Sequence, residues 1–397
     1  MRIIRITTNY KSYLKQFYNR HNELKSKDYI TQNTTLMSDC YGWANFWTLN
    51  LDELGYEVWE VVGNAEYLQK KWASENSVNF DKSNWFNEII TAQIKHFNPD
   101  ILFVNDYSRF SFDFINHLKN ICPNIKLVLG WCGAPYRNSK VFYSYDLILS
   151  NLPEHIDEFK RLGLNSEYMP HGFESSVLDN LKLDKEKNYS FTFTGSIVEN
   201  KGFHNKRKKL LYDLLNETNL EIWTNFNTKN NAISTKLIAL YNNCNNLSFW
   251  KLASIFGSKI SNKIKNMQMN ESLTRNSYQA VYGNEMYQVL RDSKITLNNH
   301  IDITENASNM RLFEATGVGT CLITDWKKNI SEFFEPDYEV VTYKTVDELL
   351  SKIKYLHNNE NERIKIAEAG QKRTLKNHNF KNRAMILDEF IRKHLNS

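Results

Sequence analysis

Short apolar runs alternate with amphipathic helical stretches along nearly the whole chain, the pattern of parallel α/β architecture. In the first half the spans 3–7, 57–62, 101–105, 126–131 and 147–150 read as buried strands. Spans 86–96 and 112–120 carry helical periodicity between them. Asn98-Pro99-Asp100 ends one helix and begins a strand, because proline cannot continue a helix and biases the residue before it toward extended backbone. The pattern breaks at Tyr168-Met169-Pro170-His171-Gly172-Phe173, which predicts a boundary between a first domain, 1–172, and a second, 173–378. The second half restarts with strands at 190–194, 220–223, 294–297, 321–324 and 339–342. Helices are expected at 206–215, 309–316, 346–357 and 362–377, with a final amphipathic helix within 379–397 and a polar loop at 225–231. The expected fold is therefore α/β, two Rossmann-like domains facing each other across a cleft.

Length agrees, since 397 residues exceed one ordinary core. A composition of 41% hydrophobic and 24% charged residues is that of a globular protein. A formal net charge of +5 is too modest to argue for nucleic acid and fits an acidic small molecule equally well. Cys40, Cys122, Cys132, Cys244 and Cys321 are scattered without a CxxC pair, which reads as reduced thiols rather than a disulfide framework or zinc site. No apolar leader and no run of about 20 apolar residues is visible, so a cytoplasmic location, at most peripheral to a membrane, is the expectation.

The densest chemistry lies in 306–325, Asn-Ala-Ser-Asn-Met-Arg-Leu-Phe-Glu-Ala-Thr-Gly-Val-Gly-Thr-Cys-Leu-Ile-Thr-Asp. Ser308 is placed to cap a short helix and Gly317 to stop it. The first turn of such a helix offers free N–H groups to phosphate, and Arg311 adds a guanidinium able to grip a diphosphate in two-pronged fashion. Glu314, a turn later on the same face, can accept hydrogen bonds from two ribose hydroxyls. The same spacing serves equally as a surface i,i+3 ion pair.

That tract, with Lys294-Ile-Thr-Leu-Asn-Asn-His300 before it, closely resembles the C-terminal domain of bacterial CgeB-like (spore-maturation type) glycosyltransferases. The similarity continues through Phe333-Phe334-Glu335, Tyr343, Asp347-Glu-Leu349, Glu362-Arg363, Ala369-Gly-Gln371 and His378. In the first half it takes in Tyr41-Gly42, Leu54-Gly55, Asn64, Gln69, Trp72-Ala73, Pro99-Asp100 and Tyr145-Asp146. The resemblance implies a GT-B enzyme that holds a nucleotide sugar in its C-terminal half, with Glu314 on the ribose and Asn309 and Arg311 toward the pyrophosphate. It implies, too, that the terminal helix packs back toward the first domain. Many related retaining transferases carry two glutamates separated by seven residues; here the earlier position is Asn306, with Glu305 beside it.

Further candidates follow from position. Thr194-Gly195-Ser196 ends a strand, where glycine admits a ligand close to the backbone and Ser196 can donate to phosphate. Arg207, in the basic run from His204 to Lys209, matches an arginine of the resembled family at a helix start. His171 and Glu174 at the inferred hinge, and Asp106 after a strand, are candidates to deprotonate an acceptor hydroxyl, and His300 to touch donor sugar or phosphate. No acidic or histidine cluster with metal-ligand spacing accompanies the nucleotide tract, so no metal and no cofactor beyond the nucleotide-sugar substrate is expected. Span 249–267 interleaves Phe249, Trp250, Leu252, Ile255 and Phe256 with lysines, readable as a core-packed helix or as one lying on an anionic membrane. The function expected is glycosyl transfer from a nucleotide sugar to a glycan, lipid-linked or protein acceptor in cell-surface synthesis. The alternatives are a nucleotide-sugar epimerase on the same fold and a non-catalytic sugar-binding component of a surface or spore-coat assembly.

Overall fold

Strand β1 (Arg2–Thr7) buries Ile3, Ile4 and Ile6 completely, alternate residues facing opposite sides, as a strand covered on both faces must. Around it β2 (Glu57–Val62), β3 (Ile101–Val104), β4 (Leu127–Trp131), β5 (Leu147–Ser150) and β6 (Ser166–Tyr168) pair in parallel, in the order β2-β1-β3-β4-β5-β6. One face carries α5 (Trp85–Phe97) and α6 (Phe112–Ile121), whose Ile90, Ile94 and Leu118 pack on Ile4, Leu102 and Val128. Asn98 closes α5 in the left-handed region, one residue before Pro99. The other face carries α1 (Lys11–Arg20), α2 (Tyr29–Ser38), α3 (Phe46–Leu51) and α4 (Glu66–Glu75), with Phe17, Trp47 and Leu68 against Ile3, Phe103 and Leu129. Helix α7 (Pro153–Arg161) completes the first half. The computed structural model describes residues 1–182, 186–197, 204–226, 258–302 and 304–396.

The second sheet is also parallel: β7 (Tyr189–Thr194), β8 (Leu220–Thr224), β9 (Ser277–Gln279), β10 (Ser293–Asn298), β11 (Cys321–Asp325) and β12 (Val341–Tyr343), in the order β12-β11-β10-β7-β8-β9. Its helices are α8 (Asn205–Glu217), α9 (Ser258–Arg275), α10 (Gly283–Arg291), α11 (Arg311–Gly317), α12 (Ile330–Phe333), α13 (Val346–Asn358), α14 (Glu360–Asn377) and α15 (Phe380–Leu395). Counted from its own first strand, this sheet runs 6-5-4-1-2-3, the order of dinucleotide-binding folds. The first sheet begins 2-1-3-4-5, the flavodoxin-like order. Each order reverses direction once beside the opening strand. Those switch points, where crossovers diverge to opposite faces, leave a crevice at the strands' C-terminal ends.

The chain crosses between sheets at Phe173, whose N–H donates to the His378 carbonyl (2.8 Å) and whose carbonyl accepts from Phe380 N–H (3.0 Å). Helix α15 lies on the first sheet's side, with Phe380 edge-on to Phe46, Trp47 and Trp43 and Tyr56 donating to Asp388 (2.6 Å). A second junction lies at the head of α10. Gly283, at φ +54°, sits so close to the Asp39 carbonyl that a Cβ would overlap it, and Asn284 N–H donates to that same oxygen (2.8 Å). Tyr282 packs edge-on against Tyr13 and Tyr41 of the first half.

Two local expectations need correction. The short helix starts at Arg311 after Met310, and Ser308 does not cap it; instead the Ser308 carbonyl accepts from Asn151 of the first half (2.7 Å). Gly317 belongs to the helix, where a side chain would strike the Phe173 ring, and the left-handed turn falls at Gly319 (φ +77°). The expected loop at 225–231 and the span 249–267, readable as core-packed or membrane-lying, fall largely outside the described residues. Among those described, no helix is long and apolar enough to cross a membrane.

Candidate functional site

At the second sheet's switch point, the ends of β7 and β10 are tied together by Arg207 from the first turn of α8. Its guanidinium donates to the Ser196 carbonyl (2.9 Å) and to the Asn299 carbonyl, and one nitrogen lies 3.0 Å from His204 Nε2. Arg207 is buried, its Nε has no partner, and no carboxylate lies in ion-pair distance among the described residues. Burial pulls its pKa down to about 10, which still leaves it cationic at neutral pH. Asp325 and Asp302 favour the cation from beyond ion-pair distance, and the carbonyls and imidazole that touch it are uncharged, which leaves the guanidinium able to accept an anion.

The same rim gathers other residues singled out in the sequence. Gly195 donates its N–H to the Trp223 carbonyl (3.1 Å) and leads into Ser196. Asn309 Nδ2 donates to Asn298 Oδ1 (2.9 Å) and the Asn299 carbonyl (3.3 Å), anchoring the entry of α11 to the end of β10. His300 is buried, its Nδ1 2.8 Å from Asp325 Oδ1, which also accepts the His300 N–H (2.9 Å). With Nδ1 committed to a carboxylate, His300 Nε2 is left without a partner, as are Asn299 Oδ1 and Thr194 Oγ1. Buried polar atoms are rarely orphaned, and this concentration at a switch point marks a place built for a polar ligand.

Arg311 and Glu314 stand one turn along α11, toward the first half. They close on each other at 2.8 Å with side chains 16% and 9% exposed, and Arg311 also lies 2.9 Å from Met286 Sδ. The pair is thus mostly buried, not the solvated surface pair that the spacing alone allows. Burial, then the neighbouring Tyr10 and Tyr282 hydroxyls and last the Glu314 charge push the Tyr41 hydroxyl pKa up.

The opposite wall of the cleft is the first sheet's switch point. A cavity of about 250 Å³ opens there, lined by Arg5, Tyr41, Trp43, Asn105, Trp131 and His171 among others, with Met310 reaching it from the second half. A neighbouring one of about 420 Å³ shares Thr7 to Tyr10 and Asn105 and extends to Asp106 and Arg109. His171 Nε2 lies 3.1 Å from Asn151 Nδ2, and burial, reinforced by Arg383, pulls its pKa down to about 3. It is a neutral imidazole at any physiological pH. Asp106 lines the larger cavity, its oxygens accepting from Thr8 Oγ1 and from the Ser108 N–H (3.0 Å) and hydroxyl (2.6 Å). Glu174 is occupied by Asn50 (2.7 Å) and Ser176 N–H (3.0 Å) as the cap of the 3-10 turn Ser175–Asn180. So on the first wall His171 lines the smaller cavity and Asp106 the neighbouring larger one, while Gly195, Ser196, Arg207, His300 and Asn309 gather on the second.

Sequence reasoning missed most of the first wall. The signal was the pair of charges inside otherwise apolar strands. Arg5 and Glu60 occupy facing register positions in β1 and β2, both nearly fully buried, with Arg5 Nε donating to Glu60 (2.6 Å). Trp43 and Trp131 carried no comparable mark, since tryptophan in a core is ordinary. No group of three or more His, Cys, Asp or Glu that could hold a metal ion occurs among the described residues.

Residues 253–389 match the family described as glycosyl transferase-like. No curated protein matches the sequence. Among solved structures, a glycosyltransferase from Rickettsia africae is similar over 99% of this chain and 98% of its own, with a TM-score of 0.55 at 13% identity. Anabaena HepE, solved in complex with UDP-glucose, is similar over 99% of this chain and 100% of its own (TM-score 0.57, 9% identity). The E. coli trehalose-6-phosphate structure bound with UDP-2-fluoro glucose is similar over 100% and 99% (TM-score 0.53, 11% identity). The chain has the two-domain α/β fold of the GT-B glycosyltransferases.

Proposed function

We propose that the protein transfers a glycosyl group from a nucleotide sugar to an acceptor hydroxyl. One observation carries this reading: Arg207, a buried cation without a carboxylate partner, stands at the second sheet's switch point among backbone and side-chain groups suited to a diphosphate. The diphosphate contacts Arg207, the Gly195–Ser196 turn and Asn309. The ribose lies against Glu314, and Arg311 turns from Glu314 toward phosphate as the nucleotide enters. His300, braced by Asp325, meets the donor sugar or its proximal phosphate. Leaving-group charge is then stabilised by fixed cations and dipoles already oriented before reaction. The acceptor occupies the first wall, with His171 and Asp106 beside its nucleophilic hydroxyl. The reaction proceeds without metal, since Arg207 and Arg311 supply the charge a divalent ion would.

On this reading the protein is a CgeB-like transferase acting at the cytoplasmic face of the membrane in cell-surface glycan synthesis, with span 249–267 as peripheral contact. Glycan, lipid-linked and protein acceptors all suit the reading. The match at 253–389 and the nucleotide-sugar complexes of the similar structures support the donor class. Thermal-shift screening against nucleotides and nucleotide sugars, with and without EDTA, tests it. A stabilisation selective for one nucleoside diphosphate, unchanged by EDTA, is expected. No shift with any nucleotide contradicts the transferase reading, and a shift requiring Mg²⁺ or Mn²⁺ contradicts metal independence. Interconversion of the donor sugar without acceptor would identify an epimerase instead.

A further inference from the structure

The five residues leading into α11 are held in turn by the two halves of the molecule. Glu305 is tied within the second half, its carbonyl accepting the Lys328 N–H (3.1 Å) and its carboxylate paired with the Lys328 ammonium. Asn306 reaches the first half, where its Nδ2 donates to Glu154 Oε1 in the first turn of α7 (2.9 Å). Ala307 is clamped by Asn329 of the second half, whose Oδ1 accepts the Ala307 N–H (2.6 Å) and whose Nδ2 donates to the Ala307 carbonyl (3.4 Å). Asn329 stands where a cap for α12 would, yet spends its side chain on Ala307 rather than on the helix. Ser308 returns to the first half through Asn151, and Asn309 to the second sheet through Asn298 and Asn299. Two residues later α11 begins, carrying Arg311 and Glu314.

A helix of two turns has little stability of its own, so the entry of α11 must be fixed from outside. Of the two first-half contacts that do this, Asn151 is the stronger. It is buried just past β5 and spends both amide hydrogens, one on the Ser308 carbonyl (2.7 Å) and one on His171 Nε2 beside the crossover (3.1 Å). A carbonyl can only accept, so the amide nitrogen, not the oxygen, faces Ser308. Removing that donor leaves the part-buried carbonyl without it and frees the 308–309 peptide to rotate. Rotation there moves Asn309, whose two bonds to the end of β10 set where the helix enters. The Asn306–Glu154 bond is exposed and therefore weaker, because water competes for both partners. Both first-half residues act on α11 through the residues before it.

We infer that Asn151 is a positioning residue for the donor tract, with Glu154 as a weaker second. From the first half they fix segment 305–309, and through it the placement of Asn309, Arg311 and Glu314. The inference rests on the transferase reading for what that placement serves, so placement and nucleotide binding are measured separately. Deuterium exchange by mass spectrometry, on the full chain without nucleotide, follows peptides covering 310–317 and, as a reference, β11. Calorimetry with the nucleoside diphosphate that stabilises the wild type most gives affinities, well below each variant's melting temperature. Asn151→Leu should speed exchange in 310–317 about tenfold, leave β11 unchanged, and weaken the nucleotide about tenfold, the loss of roughly one buried hydrogen bond. Glu154 is exposed, and Glu154→Ala should act in the same direction by about two- to threefold. Glu154→Gln keeps an acceptor for Asn306 and should restore wild-type values. A purely structural role for Asn151 would lower the melting temperature and leave the folded protein's affinity as it was. Unchanged exchange in 310–317 for a folded Asn151→Leu overturns the inference, as does faster exchange with unchanged affinity. Should Asn151→Leu fail to fold, Glu154→Ala decides, and wild-type exchange and affinity there overturn it. Should no nucleotide bind the wild type while exchange in 310–317 responds as described, the transferase reading fails and the placement of α11 by the first half stands.

Discussion

The two walls of the cleft are built from the same kind of sheet and end in opposite electrostatics. On the first, the only lining charge of the smaller cavity, Arg5, is cancelled within the wall by Glu60. On the second, Arg207 is also buried, and its contacts among the described residues are carbonyls, an imidazole and the face of the Phe193 ring. A buried ion pair is electrically complete, whereas Arg207, favoured only at a distance by Asp325 and Asp302, gains from an anion brought into contact. Two switch points of one architecture thus differ in electrostatics, one with its lining charge paired and one with a buried cation outside any ion pair.

The junctions that hold the walls together give the largest expected effects. His171 and His378 are buried at the crossover, with burial drawing their pKa values down to about 3 and about 4, helped by Arg383 in both cases. Both folded values lie below the ordinary 6.5, so the unfolded chain takes up protons first as pH falls. Stability is complete above about 6.5 and lost below it, by about 2 kcal/mol apiece at pH 5. Melting temperatures across pH 7.5 to 4.5 should therefore fall steeply below 6.5, and His378→Gln should flatten the slope. A flat profile in the wild type would mean that the crossover opens to water.

Next in size is Gly283→Ala at the second junction. A Cβ there overlaps the Asp39 carbonyl and is strained by positive φ, so about 2–3 kcal/mol of stability should go. Nucleotide affinity should hold while turnover drops, because closure of the walls suffers rather than the donor rim. Calorimetry beside initial rates separates these, and equal losses in both would mean the walls do not act separately. Smaller again is Glu314→Ala, expected to weaken nucleoside and nucleoside diphosphate alike by about 2 kcal/mol, roughly thirtyfold, if the carboxylate holds the ribose. An ion pair with Arg311 and nothing else predicts unchanged affinity.

Much of the fold was readable from alternation alone. The strand at 147–150 and the helix at 380–395 fall where the pattern puts them, because buried parallel strands and amphipathic helices are local signals. Three-residue β6 and β9 were invisible, being edge strands too short to show periodicity. Ser308 misled for a tertiary reason. It looks like a cap, but Asn151 from the other half claims its carbonyl and the helix begins two residues beyond Asn309. The second wall's residues were legible because charged and glycine-rich positions after strands carry meaning in sequence. The first wall was not, because Trp43, Asn105 and Trp131 come together only through strand order.

The central claim is that Arg207 awaits a diphosphate. Calorimetric titration of wild type and Arg207→Ala, using the nucleoside diphosphate that stabilises the protein most and its matching nucleoside, tests it directly. Loss of a buried, charge-assisted contact should weaken the diphosphate by about 2–4 kcal/mol, roughly thirty- to several-hundred-fold. The nucleoside should bind both proteins equally, which also certifies that the variant is folded. Equal diphosphate affinity in wild type and a folded Arg207→Ala would contradict the account.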